Sequence, residues 1–375
     1  MSKFIRKYAW ILFFTGISPL SAQIPLLQNK EAVKAITTTQ DLIYNFEFEE
    51  ARFRIENDRH GLGEHPANYL TQAVLIYWKD RPLVPDTEMY SQYEHYLNKA
   101  IELSESFIEK PELYVEGIFY TMSGYALLAE LYSEEGVGLK VINAAKKAYK
   151  YLKIGKDETD NFPDFNFSTG LYNYYREKYP ELYPFYKSFM WIFARGDKEL
   201  GIEQLKISKD KGIFSRNEST IYLYHIYLRY ENNPQKAYPF ACYLVEEYPQ
   251  NLRFKSILLE VLVALNELDQ AGPLCQRLLQ DSKIYYRLSG TLFQGIIYEK
   301  RDQLDEASRL LDESFVLLED LRKPDFHYLS MIYAAQARVA DKNEDNDKAR
   351  SLYKKALRSD PYAPVKEEAL KYLNK

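Results

Sequence analysis

Apolar side chains recur along almost the whole chain at spacings of three and four residues, the period of one helix face. A clear example is "DTEMYSQYEHYLNKAIELSESFIE" at 86–109, which predicts a long amphipathic helix. No run sustains the apolar–polar alternation that is typical of a half-buried strand. The pattern therefore predicts an all-α protein.

Near the C-terminus the pattern becomes helix, polar turn, helix and stop. "MIYAAQARVADKNEDNDKARSLYKKALRSDP" places Ala337 in the first helix and Ala349 twelve residues later in the second. Tyr353 and Ala356 follow on the same helix face as Ala349, and Pro361 ends the unit. Small residues at this spacing are what two antiparallel helices need at a close crossing.

The same spacing recurs upstream. The alanines of the second helices, separated by 34, 36 and 42 residues, are Ala237, Ala271, Ala307 and Ala349. This arrangement resembles the tetratricopeptide repeat (TPR), whose period is about 34 residues. The resemblance implies an all-α, TPR-like α-solenoid of stacked antiparallel helix pairs, which presents a concave binding surface.

On this interpretation the chain has four segments. They are a signal peptide at 1–22, degenerate TPR-like hairpins at 23–160, an enlarged aromatic-rich repeat at 161–216, and a TPR array at 217–375 with a C-terminal capping helix. We expect about three hairpins in the second segment. "TDNFPDFNFSTG" at 159–170 has turn-forming residues and no helical period, so it predicts a loop between the halves.

The enlarged repeat is rich in aromatic residues, with Tyr, Phe or Trp at ten of the 24 positions from 170 to 193. Pro180 and Pro184 interrupt it, and its apolar run is too short to span a bilayer. We expect it to pack as a first helix, with Gly201 as the small crossing residue of the next one. A ligand pocket and membrane contact remain alternatives. The residues expected to stay partly exposed are Tyr172, Tyr174 and Tyr175.

The N-terminus has the pattern of a secretory signal. Basic Lys3, Arg6 and Lys7 precede an apolar run at 8–17, and small residues lead to an expected cleavage after Ala22. The alternative is a membrane anchor, but about ten apolar residues fall short of the roughly 20 that a spanning helix needs. The sequence therefore predicts a periplasmic or secreted protein without stable membrane insertion after cleavage.

Charge argues against one class of partner. The chain has a net charge of −5, and removal of the three basic residues in 1–22 brings it to −8. Phosphate backbones are bound by clustered positive charge, so an acidic chain without a basic stripe favours no nucleic-acid partner.

Candidate chemistry is sparse. "RHGLGEHP" brings His60 and His65 together, but its glycines indicate a solvated loop and its spacing does not match a metal site. Cys242 and Cys275 match no metal motif, and buried free thiols are favoured over a disulfide, which stays open. No catalytic, cofactor or metal residue is predicted, and the protein is not expected to be an enzyme.

Binding is the function that remains. With the TPR register fixed by the alanines, six groove-facing residues are candidates for partner binding: Tyr222, Arg229, Tyr230, Arg253, Lys300 and Arg338. Tyr and Arg are typical of protein-binding surfaces. The sequence therefore predicts a non-catalytic, exported TPR scaffold for a protein or peptide partner in the cell envelope. The alternative is a helical-repeat protein that binds a small ligand or a glycan through aromatic side chains.

Overall fold

The structure is a computed structural model that describes residues 25–374 apart from 58–60, 134–135, 137, 183–186, 188–193, 322–324 and 360. The described residues form 17 α-helices with short 3₁₀ turns and no strand, as the hydrophobic period predicted. The predicted signal peptide at 1–22 lies outside the described residues.

Six helices occupy the N-terminal part. They are α1 (Lys30–Tyr44), α2 (Phe48–Glu56), α3 (Pro66–Asp80), α4 (Glu88–Ile108), α5 (Tyr114–Ser133) and α6 (Leu139–Gly155). The predicted amphipathic helix is α4, and the Thr87 side chain caps it by accepting a hydrogen bond from the Tyr90 N–H.

Eleven helices follow in the described part of the chain. They are α7 (Phe165–Leu182), α8 (Lys198–Lys211), α9 (Arg216–His225), α10 (Pro234–Glu247), α11 (Leu252–Ala264), α12 (Leu268–Leu279), α13 (Ile284–Lys300), α14 (Leu304–Glu319), α15 (Phe326–Lys342), α16 (Asn346–Arg358) and α17 (Ala363–Leu373). A π-helical turn, Ile226–Tyr230, continues α9. The expected C-terminal capping helix is α17.

Each helix packs mainly against the helices that precede and follow it in sequence, which is the arrangement of an α-solenoid. Two departures shape the molecule. The boundary between α6 and α7 has few contacts, and α17 reaches back to pack on the π-helical turn Ile226–Tyr230. The C-terminal end of the array therefore closes toward its middle.

The loop predicted at 159–170 is wrong in its second half, because α7 begins at Phe165. Phe165 is fully buried, and its ring lies so close to Gly155 that a Cβ there would be 2.2 Å away. The Thr169 hydroxyl donates to the Phe165 carbonyl, so this polar side chain is satisfied within the helix. Tertiary burial of one aromatic ring outweighs the local turn signal.

Helices α7 and α8 cross at a pair of glycines. A Cβ on Gly201 would lie 2.7 Å from the Gly170 carbonyl oxygen, and one on Gly170 would lie 2.9 Å from the Gly201 carbonyl oxygen. Gly201 is thus the small crossing residue that the sequence predicted. The close approach also buries Tyr174 completely, so the expectation that Tyr174 stays partly exposed is wrong, while Tyr172 and Tyr175 are half-buried.

The N-terminal helices share a core with the C-terminal array. The rings of Tyr44 and Trp78 lie 5.0 Å apart, and Trp78 lies 5.6 Å from Phe254 in α11. The Asn251 amide donates to the Tyr44 carbonyl at 2.7 Å. The segments 23–160 and 217–375 are therefore joined by buried aromatic packing.

Candidate functional site: two cavities on the inner face

A central cavity of roughly 900 Å³ lies on the inner face of the array. It is lined by residues from α3, α7, α11, α13 and α15, the turn after α9, and the segment before α17. Its aromatic members include Phe46, Trp78, Tyr179, Tyr230, Tyr285, Tyr286, Phe326 and Tyr362. Large flat side chains around a cavity of this size are typical of a binding site.

A second cavity of roughly 250 Å³ lies beneath α17. Its wall is mostly apolar, with contributions from Phe293, Ile296 and Val365. Arg229, His327 and Tyr362 line both cavities, so these three residues form the partition between them.

The partition is held by the carboxylate of Glu260. Arg229 Nη2 lies 2.7 Å from Oε2, His327 Nε2 lies 2.9 Å from Oε1, and the Tyr224 hydroxyl donates to Oε2. Burial raises the pKa of Glu260, but Arg229 and His327 outweigh this effect and hold its pKa well below the ordinary value. Glu260 is therefore ionised, and Arg229 is already neutralised within the protein.

His327 completes this network as a neutral ring. Burial, followed by the nearby Arg229 charge, lowers the pKa of His327. A neutral ring that bonds to a carboxylate through Nε2 donates from that nitrogen, which leaves Nδ1 as an acceptor. That Nδ1 atom is buried without a hydrogen-bond partner among the described residues.

Five of the six candidate partner-binding residues line the two cavities. Arg229, Tyr230 and Arg253 line the central cavity, while Arg229, Lys300 and Arg338 line the second one. Tyr222 packs elsewhere, with its ring 5.6 Å from Phe167 and 6.4 Å from Tyr175. The structure thus places five of these six residues in the walls of the two cavities and Tyr222 outside them.

The charged side chains that line the second cavity have partners within the chain. Arg338 Nε lies 2.9 Å from Oε2 of Glu299, and its Nη1 lies 3.0 Å from Oε1 of Glu368 in α17. Lys300 donates to the side chain of Asn266 at 3.4 Å. Helix α17 therefore covers this part of the inner face and neutralises its arginine.

Two arginines of the central cavity contact aromatic rings, whereas Arg338 in the second cavity is ion-paired. The Arg253 guanidinium lies 5.6 Å from the Trp78 ring centroid, and that of Arg81 lies 4.2 Å from the Tyr77 ring centroid. Across the described parts of the chain, no carboxylate lies within 4.0 Å of either guanidinium. The sequence did not point to Arg81, Trp78 and His327, because they fall outside the groove positions of the repeats predicted from it.

The sequence predicts a solvated loop around His60 and His65, and this prediction is wrong for His65. This side chain is only 2% exposed, and its Nδ1 accepts a hydrogen bond from the Ala67 N–H at the start of α3. Its Nε2 lies 3.6 Å from the buried Glu116 carboxylate. His60 lies outside the described residues. Among the residues that are described, no cluster of three potential metal ligands occurs, and Cys242 and Cys275 are free thiols.

Comparisons with known proteins add no family to this picture. No protein-family model matches the chain, and no curated protein matches it. None of the helices in the described ranges is both long enough and apolar enough to cross a membrane.

Proposed function

We propose that the protein is an exported, non-catalytic TPR scaffold that holds a peptide segment of a protein partner in its central cavity. The observation that carries this proposal is the roughly 900 Å³ cavity whose wall combines Trp, Tyr and Arg side chains. These residue types dominate the binding energy of protein interfaces, because they offer large apolar area together with directed polar groups.

The burial of the repeat alanines supports the TPR assignment. Ala237, Ala271, Ala307 and Ala349 are all completely buried at the start of second helices, where the TPR register puts them. Gly295 supports it too, because a Cβ there would lie 3.3 Å from Leu310 and Leu311 of the facing helix. Export is supported by the basic, then apolar, then small-residue order of the N-terminal sequence.

Site-specific photocrosslinking in the cell envelope tests the proposal. Phe326 lines the central cavity and is 59% exposed, so benzoylphenylalanine can replace this aromatic side chain with little disturbance. Phe53, which is 47% exposed and lines neither cavity, is the matched control. We expect a polypeptide adduct, identified by mass spectrometry, at Phe326 and not at Phe53. No adduct at Phe326, or the same adducts at both positions, would refute the proposal.

A small ligand or glycan is the second candidate. The volume of the central cavity falls within the range of about 300 to 1,000 Å³ that is usual for small-molecule sites. Native mass spectrometry of the exported protein separates the two candidates. A retained small molecule together with no polypeptide adduct at Phe326 would favour this second function.

A further inference from the structure

The wall of the central cavity carries more positive than negative charge. With Arg229 neutralised by Glu260, four further cationic side chains line it, Arg81, Arg253, Lys283 and Lys366, against the two carboxylates of Asp320 and Asp325. One of the two carboxylates is engaged, because Asp325 caps α15 by accepting from the N–H groups of His327 and Tyr328. The chain as a whole is acidic, with a net charge of −5, so this cavity is a local reversal of sign.

Two of these cations are held in place by rings instead of by counter-ions. Arg253 lies over Trp78 and Arg81 lies over Tyr77, and the rings of Tyr77 and Trp78 are 6.3 Å apart. A guanidinium stacked on an aromatic face keeps its N–H groups free at the edge of its plane. The described residues offer these two groups no carboxylate within 4.0 Å, whereas Arg229 has Glu260 at 2.7 Å.

One acidic side chain that interacts with these arginines, Glu218, is itself engaged. Burial raises the pKa of Glu218, and the charges of Arg253 and Arg81 act against that rise. The Glu218 carboxylate accepts a hydrogen bond from the Tyr44 hydroxyl at 2.8 Å and forms no ion pair with either arginine. Two partly buried guanidinium groups thus face the cavity with their hydrogen-bonding capacity unused.

We propose that Arg253 and Arg81 bind a carboxylate of the occupant of the central cavity, so that the protein selects acidic peptides. This inference rests on the proposed function, because it takes the occupant of the cavity to be a peptide. Carboxylates are the only anionic groups of an unmodified peptide at neutral pH. The planar guanidinium binds a carboxylate through two parallel N–H bonds. An acidic side chain and a free chain end supply the same group.

Three pools of acetylated pentapeptides distinguish these sources. The flanking positions are randomised without acidic residues, and the pools carry central Glu with an amidated end, central Gln with an amidated end, or central Gln with a free carboxyl end. Each pool is passed over the immobilised mature chain, and retained peptides are quantified by mass spectrometry. We expect at least one carboxylate pool to be retained about tenfold more than the neutral pool, since hydrogen bonds to charged groups are worth about 1.5–3 kcal/mol.

Arg253→Met is the decisive variant, because Met keeps an apolar stem beside Trp78 and removes the charge. It should abolish the preference, Arg253→Lys should retain part of it, and Arg309→Met in the exposed pair with Glu313 should leave it unchanged. Thermal unfolding checks that each variant is folded.

Equal retention of all three pools, or no retention of either carboxylate pool, would overturn the carboxylate inference. The photocrosslink at Phe326 would persist in that case if the proposed function is right. If no crosslink forms at Phe326 in the otherwise wild-type chain, the proposed function itself is refuted. The two failures are therefore distinguishable.

Discussion

At the scale of single residues, one buried carboxylate organises the partition between the cavities. Glu260 accepts from Arg229, Tyr224 and His327, so each of its oxygens has two donors. The Glu260 and Arg229 side chains are only 7% and 14% exposed, so the ion pair is largely shielded from water. Such a network stabilises the fold only while every member is present.

Glu260→Gln should therefore be strongly destabilising. Gln cannot neutralise Arg229, and removal of one partner from a buried ion pair typically costs about 3–5 kcal/mol. Glu313→Gln removes a carboxylate from an exposed pair on α14 and should cost less than about 0.5 kcal/mol. Urea unfolding of both variants measures the difference. Equal midpoints for the two would contradict the role given to Glu260.

The same carboxylate predicts a pH dependence. The folded-state pKa of Glu260 lies below its unfolded value of about 4.3, so the folded state binds fewer protons in the window between the two values. Its stabilising contribution is full above about pH 4.3 and is lost as the pH falls toward the folded value. The free energy of unfolding of the wild type should therefore approach that of Glu260→Gln below pH 4. A difference that stays constant from pH 7 to pH 3 would contradict this.

At the scale of helices, the sequence predicts elements well where their periodicity is strong. The anchor alanines, α4, α17 and the crossing at Gly201 are all present. The start of α7 was missed, because Phe165 is held by burial in a core that no local pattern reveals. Arg81 was missed for a related reason, since its place in the cavity depends on how α3 packs against α11 and not on any repeat position.

The glycine crossing gives a prediction for one element pair. Gly201→Ala gains helix propensity, but the new Cβ would meet backbone atoms of Gly170 and Tyr174 at 2.7 Å. The two helices must then separate, and overpacking of this kind costs about 1–3 kcal/mol. Leu200→Ala, at an exposed neighbour on the same helix, should change stability by less than about 1 kcal/mol. Differential scanning calorimetry compares them, and a Gly201→Ala variant as stable as the wild type would disprove the close crossing.

At the scale of the whole molecule, the N-terminal helices and the C-terminal array share one buried core. Side chains of helix α1 form hydrogen bonds and ring contacts with the α9–α11 region. For example, the Tyr248 hydroxyl donates to Asp41 Oδ1 at 2.7 Å. A pure solenoid is stabilised only by neighbouring repeats, and its local stability can then vary along its length. Contacts across more than 200 residues couple these ends, and they also fix Trp78 against Arg253 in the cavity wall.

Phe254→Ala tests this coupling. Phe254 is fully buried in α11, and its ring lies 6.4 Å from Tyr44 and 5.6 Å from Trp78. Its removal should cost about 3–5 kcal/mol and increase hydrogen exchange in α1–α3 as well as in α11. Phe293→Ala removes an equally buried ring of α13 from a core cluster whose buried members all lie in α11–α15, and the increase should be largest in those helices. If Phe254→Ala leaves exchange in α1–α3 unchanged, the N-terminal helices are stabilised on their own, and the geometry of Trp78 in the cavity does not depend on α11.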